Sequence, residues 1–492
     1  MIPPISLEIA VLVTGVTLLI YETFANDQKK NELAWAGIAG LSIVFILSFF
    51  IGPVPAGAPY GKFYSADPLA IFFKRFALLT TILVLVMALD YKSVLRNFIY
   101  SAKGEAGIGE FYCLPVFTCA GLMWMASAVD FIMIFVSLEL VTISFYVLVS
   151  YMRKNNGSLE AGVKYLILGA LSTGFLVYGI TWIFGITGQT NLDMISRSLS
   201  GSDLAAVSVP LLFGVALVLI ALGFKIAAVP FQLWVPDVYQ GAPTPITAYL
   251  SVGSKAAGFV ILIRVLNTFL AVDLLHAKLV AILTCMAALT LIYGNLAAIP
   301  QDNLKRLLGY SSIAHAGYLL VGVASLNSST ALPAIVFYLA GYLAMTLLSF
   351  VVMIVVANQS GGDDIAHFRG LSKRSPLLAF GMLVAMSSLA GIPLTAGFLG
   401  KFLVFFAAID QHHYALAGIG IVTVAAGFYY YLKVVRAMYW LEPETETPVI
   451  ASGLTKSVVL GLVALTFLLG VYPRPIFKML NAPGAPQAVA AK

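Results

Sequence analysis

Long apolar stretches separated by short polar islands dominate the chain, and their length sets the fold class. A bilayer core about 30 Å thick is crossed by roughly 20 residues of helix. Runs of that size recur near 5–24, 34–52, 68–89, 111–128, 130–150, 161–184, 207–240, 244–270, 274–298, 305–325, 331–357, 376–410, 414–438 and 454–473. These fourteen spans predict an all-α polytopic membrane protein. The longest polar connections, 53–67, 90–110, 185–206 and 358–375, are too short to hold a soluble domain. Two runs, 207–240 and 376–410, would make straight helices of about 50 Å, so each is expected to tilt or break. Pro230 and Pro236 in one, and Gly391, Pro393 and Gly397 in the other, supply the means, because proline removes a backbone donor and clashes with the preceding turn. The two runs are the seventh and twelfth spans, five apart. A five-helix unit repeated in tandem enters the membrane with opposite polarity the second time, so spans four to eight and nine to thirteen are expected to form an inverted repeat. Paired broken helices in such repeats mark transport sites. The matching division is 1–110 for three leading helices, 111–270 and 271–440 for the two halves, and 441–492 for a last helix and tail.

Composition strengthens this picture. Apolar residues make up 60% and charged residues 10% of the chain, against roughly 25% charged in soluble domains, which excludes an ordinary cytosolic enzyme. The net charge of +6 sits in islands between spans; such islands flank a membrane and do not form a nucleic-acid surface. Cys113, Cys119 and Cys285 lie in apolar runs without ligand spacing and are expected to be small buried hydrophobes, with no metal site. Residues Met1 to Leu7 hold no Lys or Arg, and no small-residue cleavage site precedes Tyr21; the first run is expected to be a retained span. The tail from Asn481, rich in Ala and Pro, is expected to be disordered. Basic residues concentrate in cytoplasmic loops. Lys29, Lys30, Lys92, Arg96, Lys103, Arg153, Lys154, Lys305, Arg306, Arg369, Lys373 and Arg374 follow odd-numbered spans, whereas only Lys62, Arg197, Lys278, Arg474 and Lys478 follow even-numbered ones. Both termini are therefore expected outside the cytoplasm of a bacterial-type inner membrane, with Lys74 and Arg75 as the main exception.

Ionisable residues within the spans carry the candidate chemistry, since a charge at the bilayer centre costs about 2.5–3.5 kcal/mol or more. Glu139 is central in span five, Lys225 central in the long seventh run, Lys255 mid-span in eight and His315 central in ten. Lys401 follows Pro393 in span twelve, and Lys164 lies nearer the cytoplasmic end of span six. Glu139 and Lys225 could form a static ion pair, Lys164 could snorkel to the interface, and His315 could be a neutral packing histidine. However, one carboxylate cannot neutralise three midplane lysines. Lysine can also be switched between charged and neutral by its surroundings, which arginine cannot. A proton relay is thus the favoured reading. Gly400 and Lys401 mimic the end of a P-loop, but Phe402 and Thr395 stand where its Ser/Thr and first Gly belong. No dinucleotide, haem-attachment, zinc-protease or nucleophile-elbow motif occurs. His412 and His413 are expected to be solvated, and Asp237 either caps the break or sits in a solvated turn.

The stretch KIAAVPFQLWVPDVYQGAPTPITAYLSVGSK from Lys225 to Lys255 resembles the antiporter-like membrane subunits of respiratory complex I. SLEL around Glu139, NLKRLLGYSSIAHAGYLLVG at 303–322 and LAGIPLTAGFLGKF at 389–402 agree in order. The resemblance covers about residues 110–440. Within it, PDVYQGAP at 236–243 and DDIAHFRGL at 363–371 are most similar to the N-type subunits of NADH-quinone oxidoreductase. M-type subunits usually carry Glu at the place of Lys401, and L-type subunits continue into a long lateral helix. The resemblance implies that Glu139 and Lys225 pair across spans five and seven, that Lys255 and Lys401 are the eighth- and twelfth-span relay groups, and that His315 links the two half-channels. Gln232 departs from the family, where many members have His. The resemblance further implies a translocase subunit without cofactor chemistry of its own. NADH, FMN, iron-sulfur clusters and quinone would be handled by partner subunits, and neighbouring antiporter-like subunits would lie alongside. Protons would enter near Lys164 and Lys225, pass Lys255 and His315 by water, and leave through Lys401. Two rivals are an Mrp-type cation/proton antiporter subunit and a structural subunit whose buried charges only fix packing.

Overall fold

A computed structural model describes residues 3–25, 30–54, 61–99, 107–200, 207–443 and 446–480; Lys29, Lys103 and the tail from Asn481 lie outside them. Among the described residues the regular structure is helical, apart from isolated bridges such as Tyr64–Ala128 and Asn303–Asp364. The membrane helices are α1 Ser6–Phe24, α2 Lys30–Leu47, α3 Pro68–Asp90, α4 Ile108–Ser127, α5 Phe131–Val149 and α6 Asn156–Thr187. Next come α7a Ser208–Ile226 with α7b Val235–Gly241, then α8 Thr244–Leu270, α9 Asp273–Ala298, α10 Leu304–Ala324 and α11 Ala331–Ser360. The series closes with α12a Pro376–Ala390 and α12b Ala396–Asp410, α13 Tyr414–Trp440 and α14 Gly453–Val471. Among the described residues thirteen helices are long and apolar enough to cross a membrane, and α12a is a shorter apolar helix.

Helix starts follow from side-chain caps, which satisfy amides that the first turn leaves open. Asp67 caps α3 through Ala70 N at 2.7 Å, Asp130 caps α5 through Ile132 N at 2.8 Å and Asn303 caps α10 through Arg306 N at 3.0 Å. Both long runs break rather than tilt. In the first, Ala227 takes a left-handed φ of 64°, and Pro230 lies in the non-helical link to α7b. In the second, Gly391 at φ 93° ends α12a, and Pro393 lies in the link. Pro236 and Gly397 do not break the helices: each lies in the first turn of the second half-helix. Pro236 fits there because a first-turn residue needs no intrahelical donor. Gly397 lets α12b approach α12a, since a Cβ would collide with the Ser388 carbonyl.

Elements five apart match: α6 and α11 are the longest helices, at 32 and 30 residues, and the seventh and twelfth are the broken ones. Helices α8, α10 and α11 are wholly enclosed by the others, whereas α1, α2, α6 and α14 lie at the rim with much of their apolar surface outward. This arrangement brings Lys255 and His315 to the centre of the bundle. Cys113 and Cys119 are buried, but Cys285 is exposed, on the outward side of peripheral α9. An apolar environment on that side is lipid, so an apolar run did not imply protein burial. Lys305 was counted with the loop cations but is buried, and Lys74, the exception within the third span, is buried too and pairs with Glu8 at 2.9 Å.

Candidate functional site

Lys225 is the penultimate residue of α7a, not the middle of a continuous helix. There its ammonium lies in the negative field of a helix C-terminus and donates to Thr142 Oγ1 of α5 at 2.5 Å. Glu139, one turn before Thr142, accepts from Thr173 Oγ1 of α6 at 2.7 Å. Carboxylate and ammonium are thus held on successive turns of α5, and among the described residues no direct ion pair joins them. Gly258 of α8 packs beside the root of Lys225, where a Cβ would lie 3.5 Å from the lysine Cβ. Gln232, in the link after α7a, is 4% exposed, and its Oε1 accepts no hydrogen bond from a described residue.

A π-helical turn, Leu250–Ser254, precedes Lys255 within α8. Such single-turn bulges recur at functional sites because they shift the register of the following side chains. Lys255 donates to both the carbonyl and the hydroxyl of Ser312 on α10. The Ser312 hydroxyl also meets Tyr239 OH at 3.1 Å and Tyr342 OH at 3.0 Å, and Ser251 reaches Tyr342 OH at 2.9 Å. One turn further along α10, His315 bonds Tyr338 OH through Nδ1 at 2.8 Å and Tyr431 OH through Nε2 at 3.1 Å. Tyr431 in turn bonds the Ser311 hydroxyl. The Tyr318 ring stands 5.8 Å from that of His315, and on its other side Lys401 Nζ lies 4.9 Å from the Tyr318 centroid. Lys401, on α12b, donates to Leu389 O at 2.8 Å and Ala390 O at 2.9 Å. It therefore caps the last carbonyls of α12a, the same kind of helix end that Lys225 occupies on α7a.

Lys255, His315 and Lys401 lie in one buried region of polar side chains, and Lys225 and Glu139 meet Thr142 and Thr173 on the neighbouring helices α5 and α6. Lys164 stands apart. It is partly exposed and pairs with Asp237 and Glu160, each at 2.6 Å, while Asp237 also takes Arg306 at 2.8 Å. Asp237 is the first-turn acid of α7b, so it tethers the break to α6 and α10. His412 is exposed in a left-handed turn against Tyr414 OH at 2.9 Å.

The sequence reading missed the hydroxyl groups that join these residues: Thr142, Thr173, Ser311, Ser312, Tyr338, Tyr342 and Tyr431. A signal was present. Ser311, Ser312, His315 and Tyr318 recur at helical spacing on α10, as do Tyr338 and Tyr342 on α11, inside spans that otherwise read as apolar.

Residues 128–427 match the family described as NADH:quinone oxidoreductase/Mrp antiporter, transmembrane. NADH-quinone oxidoreductase subunit N of Desulforamulus reducens is 38% identical, with 97% of each chain covered. The same-named protein of Trichlorobacter lovleyi is 41% identical over 89% of this chain and 88% of its own. Among solved structures, a chain of respiratory complex I from Thermus thermophilus with bound aureothin is 30% identical. It has a TM-score of 0.78 and coverage of 96% of this chain and 98% of that one. A chain of the Mrp complex from Dietzia shares the fold at a TM-score of 0.79 and 19% identity, covering 96% of this chain and 95% of its own.

Proposed function

The chain belongs to the NADH-quinone oxidoreductase subunit N family, and on that premise we propose that half-buried Glu139 together with buried Lys225, Lys255, His315 and Lys401 carries protons across the membrane. It is a membrane-arm subunit of a proton-pumping NADH:quinone oxidoreductase, working beside other membrane and peripheral subunits and neighbouring antiporter-like ones. The near-full-length relatives favour this over an Mrp-type antiporter subunit, with which the fold is shared. NADH, FMN, iron-sulfur clusters and quinone are assigned to the partners. This chain contributes proton transfer alone, within the 111–270 and 271–440 halves, with 1–110 and 441–492 as flanking helices.

One observation carries the reading: within an otherwise apolar bundle, Lys255 bonds Ser312, the adjacent Ser311 bonds Tyr431 and Tyr431 bonds His315, and Lys401 lies over the Tyr318 ring that packs edge-on against His315. Hydroxyls that both donate and accept are the groups a proton relay needs. A purely structural ion pair would need none of them. Protons enter from the cytoplasmic side near Lys164 and Lys225, pass Lys255 and His315 with water completing the links, and leave through Lys401, with both chain termini outside. Gln232 Oε1, buried beside the break, would accept from such a water where many relatives carry a titrating His. Lys225 has two alternative partners on α5, Thr142 one turn from Glu139. Rotating the ammonium from hydroxyl to carboxylate would change its proton affinity and gate entry. Moving a charge against 100 mV costs about 2.3 kcal/mol, comparable with one or two pKa units at about 1.4 kcal/mol each.

Glu139→Gln preserves shape and removes the charge. In reconstituted complex at matched assembly, it is expected to lower NADH-driven proton uptake by about ten-fold or more. Wild-type pumping would instead favour a packing role.

A further inference from the structure

Apart from the relay, α1, the start of α4 and the end of α5 enclose a cavity of about 450 Å3, within the range of about 300–1,000 Å3 usual for small-molecule sites. One wall is a single face of α4. Glu110, Cys113, Leu114 and Phe117 line it at the three- and four-residue spacing that stacks side chains along a helix, and they descend about 10 Å from first to last. Phe117 ends this wall against α1: its ring lies at Gly15, where a Cβ would come within 3.1 Å of it. Leu19 of α1 and Val147 of α5 also line the cavity and are exposed, so it opens sideways between these two helices, toward the acyl chains of a surrounding bilayer.

Opposite charges mark the other end. Glu110, in the first turn of α4, is half-buried, and its Oε2 is shut off from solvent yet accepts no hydrogen bond from a described residue. Nearby Glu22, which packs on Gly109, is by contrast paired with Lys30 at 3.0 Å. Arg153, in the link after α5, lines the same cavity and is exposed, and no described carboxylate pairs with its guanidinium. Tyr151 donates its hydroxyl to the Gly107 carbonyl and stacks its ring 5.1 Å from Phe111, which fixes the end of α5 to the start of α4 and uses up the proton it could have given Glu110. Cys113 has only a weak donor. A buried carboxylate oxygen without a donor is costly. A fitting occupant therefore brings a donor to Glu110, an acceptor to Arg153 and an apolar remainder to Leu114 and Phe117.

We propose that this cavity binds a phospholipid whose headgroup carries a primary ammonium, with the ammonium on Glu110, the phosphate at Arg153 and an acyl chain leaving between Leu19 and Val147. Guanidinium and phosphate form strong charge-assisted hydrogen bonds, and the ammonium supplies the missing donor. An anionic phospholipid would meet Arg153 but bring no cation to Glu110. A choline headgroup has no N–H to donate, and its usual host is an aromatic cage. In the orientation proposed above the lipid belongs to the cytoplasmic leaflet; the site itself does not depend on the proton-carrying role.

Photoactivatable lipids test this on the assembled complex in nanodiscs. Phosphatidylethanolamine, phosphatidylcholine and phosphatidylglycerol with the same photoreactive acyl chain are compared, and labelled peptides of this chain are located by mass spectrometry. In wild type the peptides holding Leu114 and Val147 are expected to be labelled several-fold more by the ethanolamine lipid than by either other, with labelling of α14 as the internal control. Glu110→Gln is expected to bring the ethanolamine lipid down to the choline level, and Glu110→Asp to restore part of the difference. Equal labelling by all three lipids in wild type overturns the proposal. Stronger labelling by phosphatidylglycerol overturns it in favour of an anionic lipid. Absence of label at these peptides beside normal labelling of α14 overturns it in favour of a neighbouring subunit as the occupant.

Discussion

Lys225 and Lys401 hold equivalent posts by different means. Lys225 ends the half-helix whose terminal field it shares, whereas Lys401 reaches back from α12b to the last two carbonyls of α12a. That geometry bears on which substitutions the second site accepts. Lys401→Met leaves two buried carbonyls without a donor, a loss of roughly 1–3 kcal/mol for each unsatisfied group. Lys401→Glu can still donate once protonated. Glu is therefore expected to retain more pumping than Met, with activity displaced toward acid pH, as judged from NADH-driven acidification of vesicles across a pH series. Better function in Met than Glu would count against a titratable site.

At the scale of elements, the two breaks show what could be read from the chain and what could not. Gly391 and Pro393 announced the second break through the special backbone freedom of glycine and the missing donor of proline. The first break begins at Ala227, an ordinary residue forced to φ 64°, and no residue type marks that. Left-handed alanine costs about 1–2 kcal/mol. Ala227→Gly is accordingly expected to be neutral or stabilising, while Gly391→Ala is destabilising and defective, because its Cβ would also come within 3.3 Å of Lys401 Nζ. Thermal unfolding and pumping of the two variants give the comparison; equal behaviour would remove the strain argument. The ionisable residues stood out in the sequence because charge in an apolar run is conspicuous. Their linkage did not, since Ser312, Tyr338 and Tyr431 come from three helices and meet only through packing. Nor could spacing show that Thr142 stands between Glu139 and Lys225. The Glu160 partner of Lys164 could be read from its spacing along α6, but its second partner, Asp237 of α7b, could not.

For the whole molecule, the enclosed trio α8, α10 and α11 carries Lys255 and His315, and the rim helices turn much of their apolar surface outward. The outward apolar residues of α6, among them Val163, Ile167 and Leu171, would be a liability in water and are ordinary in a bilayer. On the proposed role the energy arrives from partner subunits, so defects in this chain are expected to show as lost coupling without loss of any chromophore. On the proposed reading Lys255 joins the two halves, since it bonds Ser312 one turn before His315 on α10. The decisive measurement is the number of protons taken up per NADH oxidised by reconstituted complex carrying Lys255→Met, at assembly matched to wild type. The relay predicts that the ratio falls or that turnover collapses with it; a wild-type ratio at wild-type turnover would contradict it.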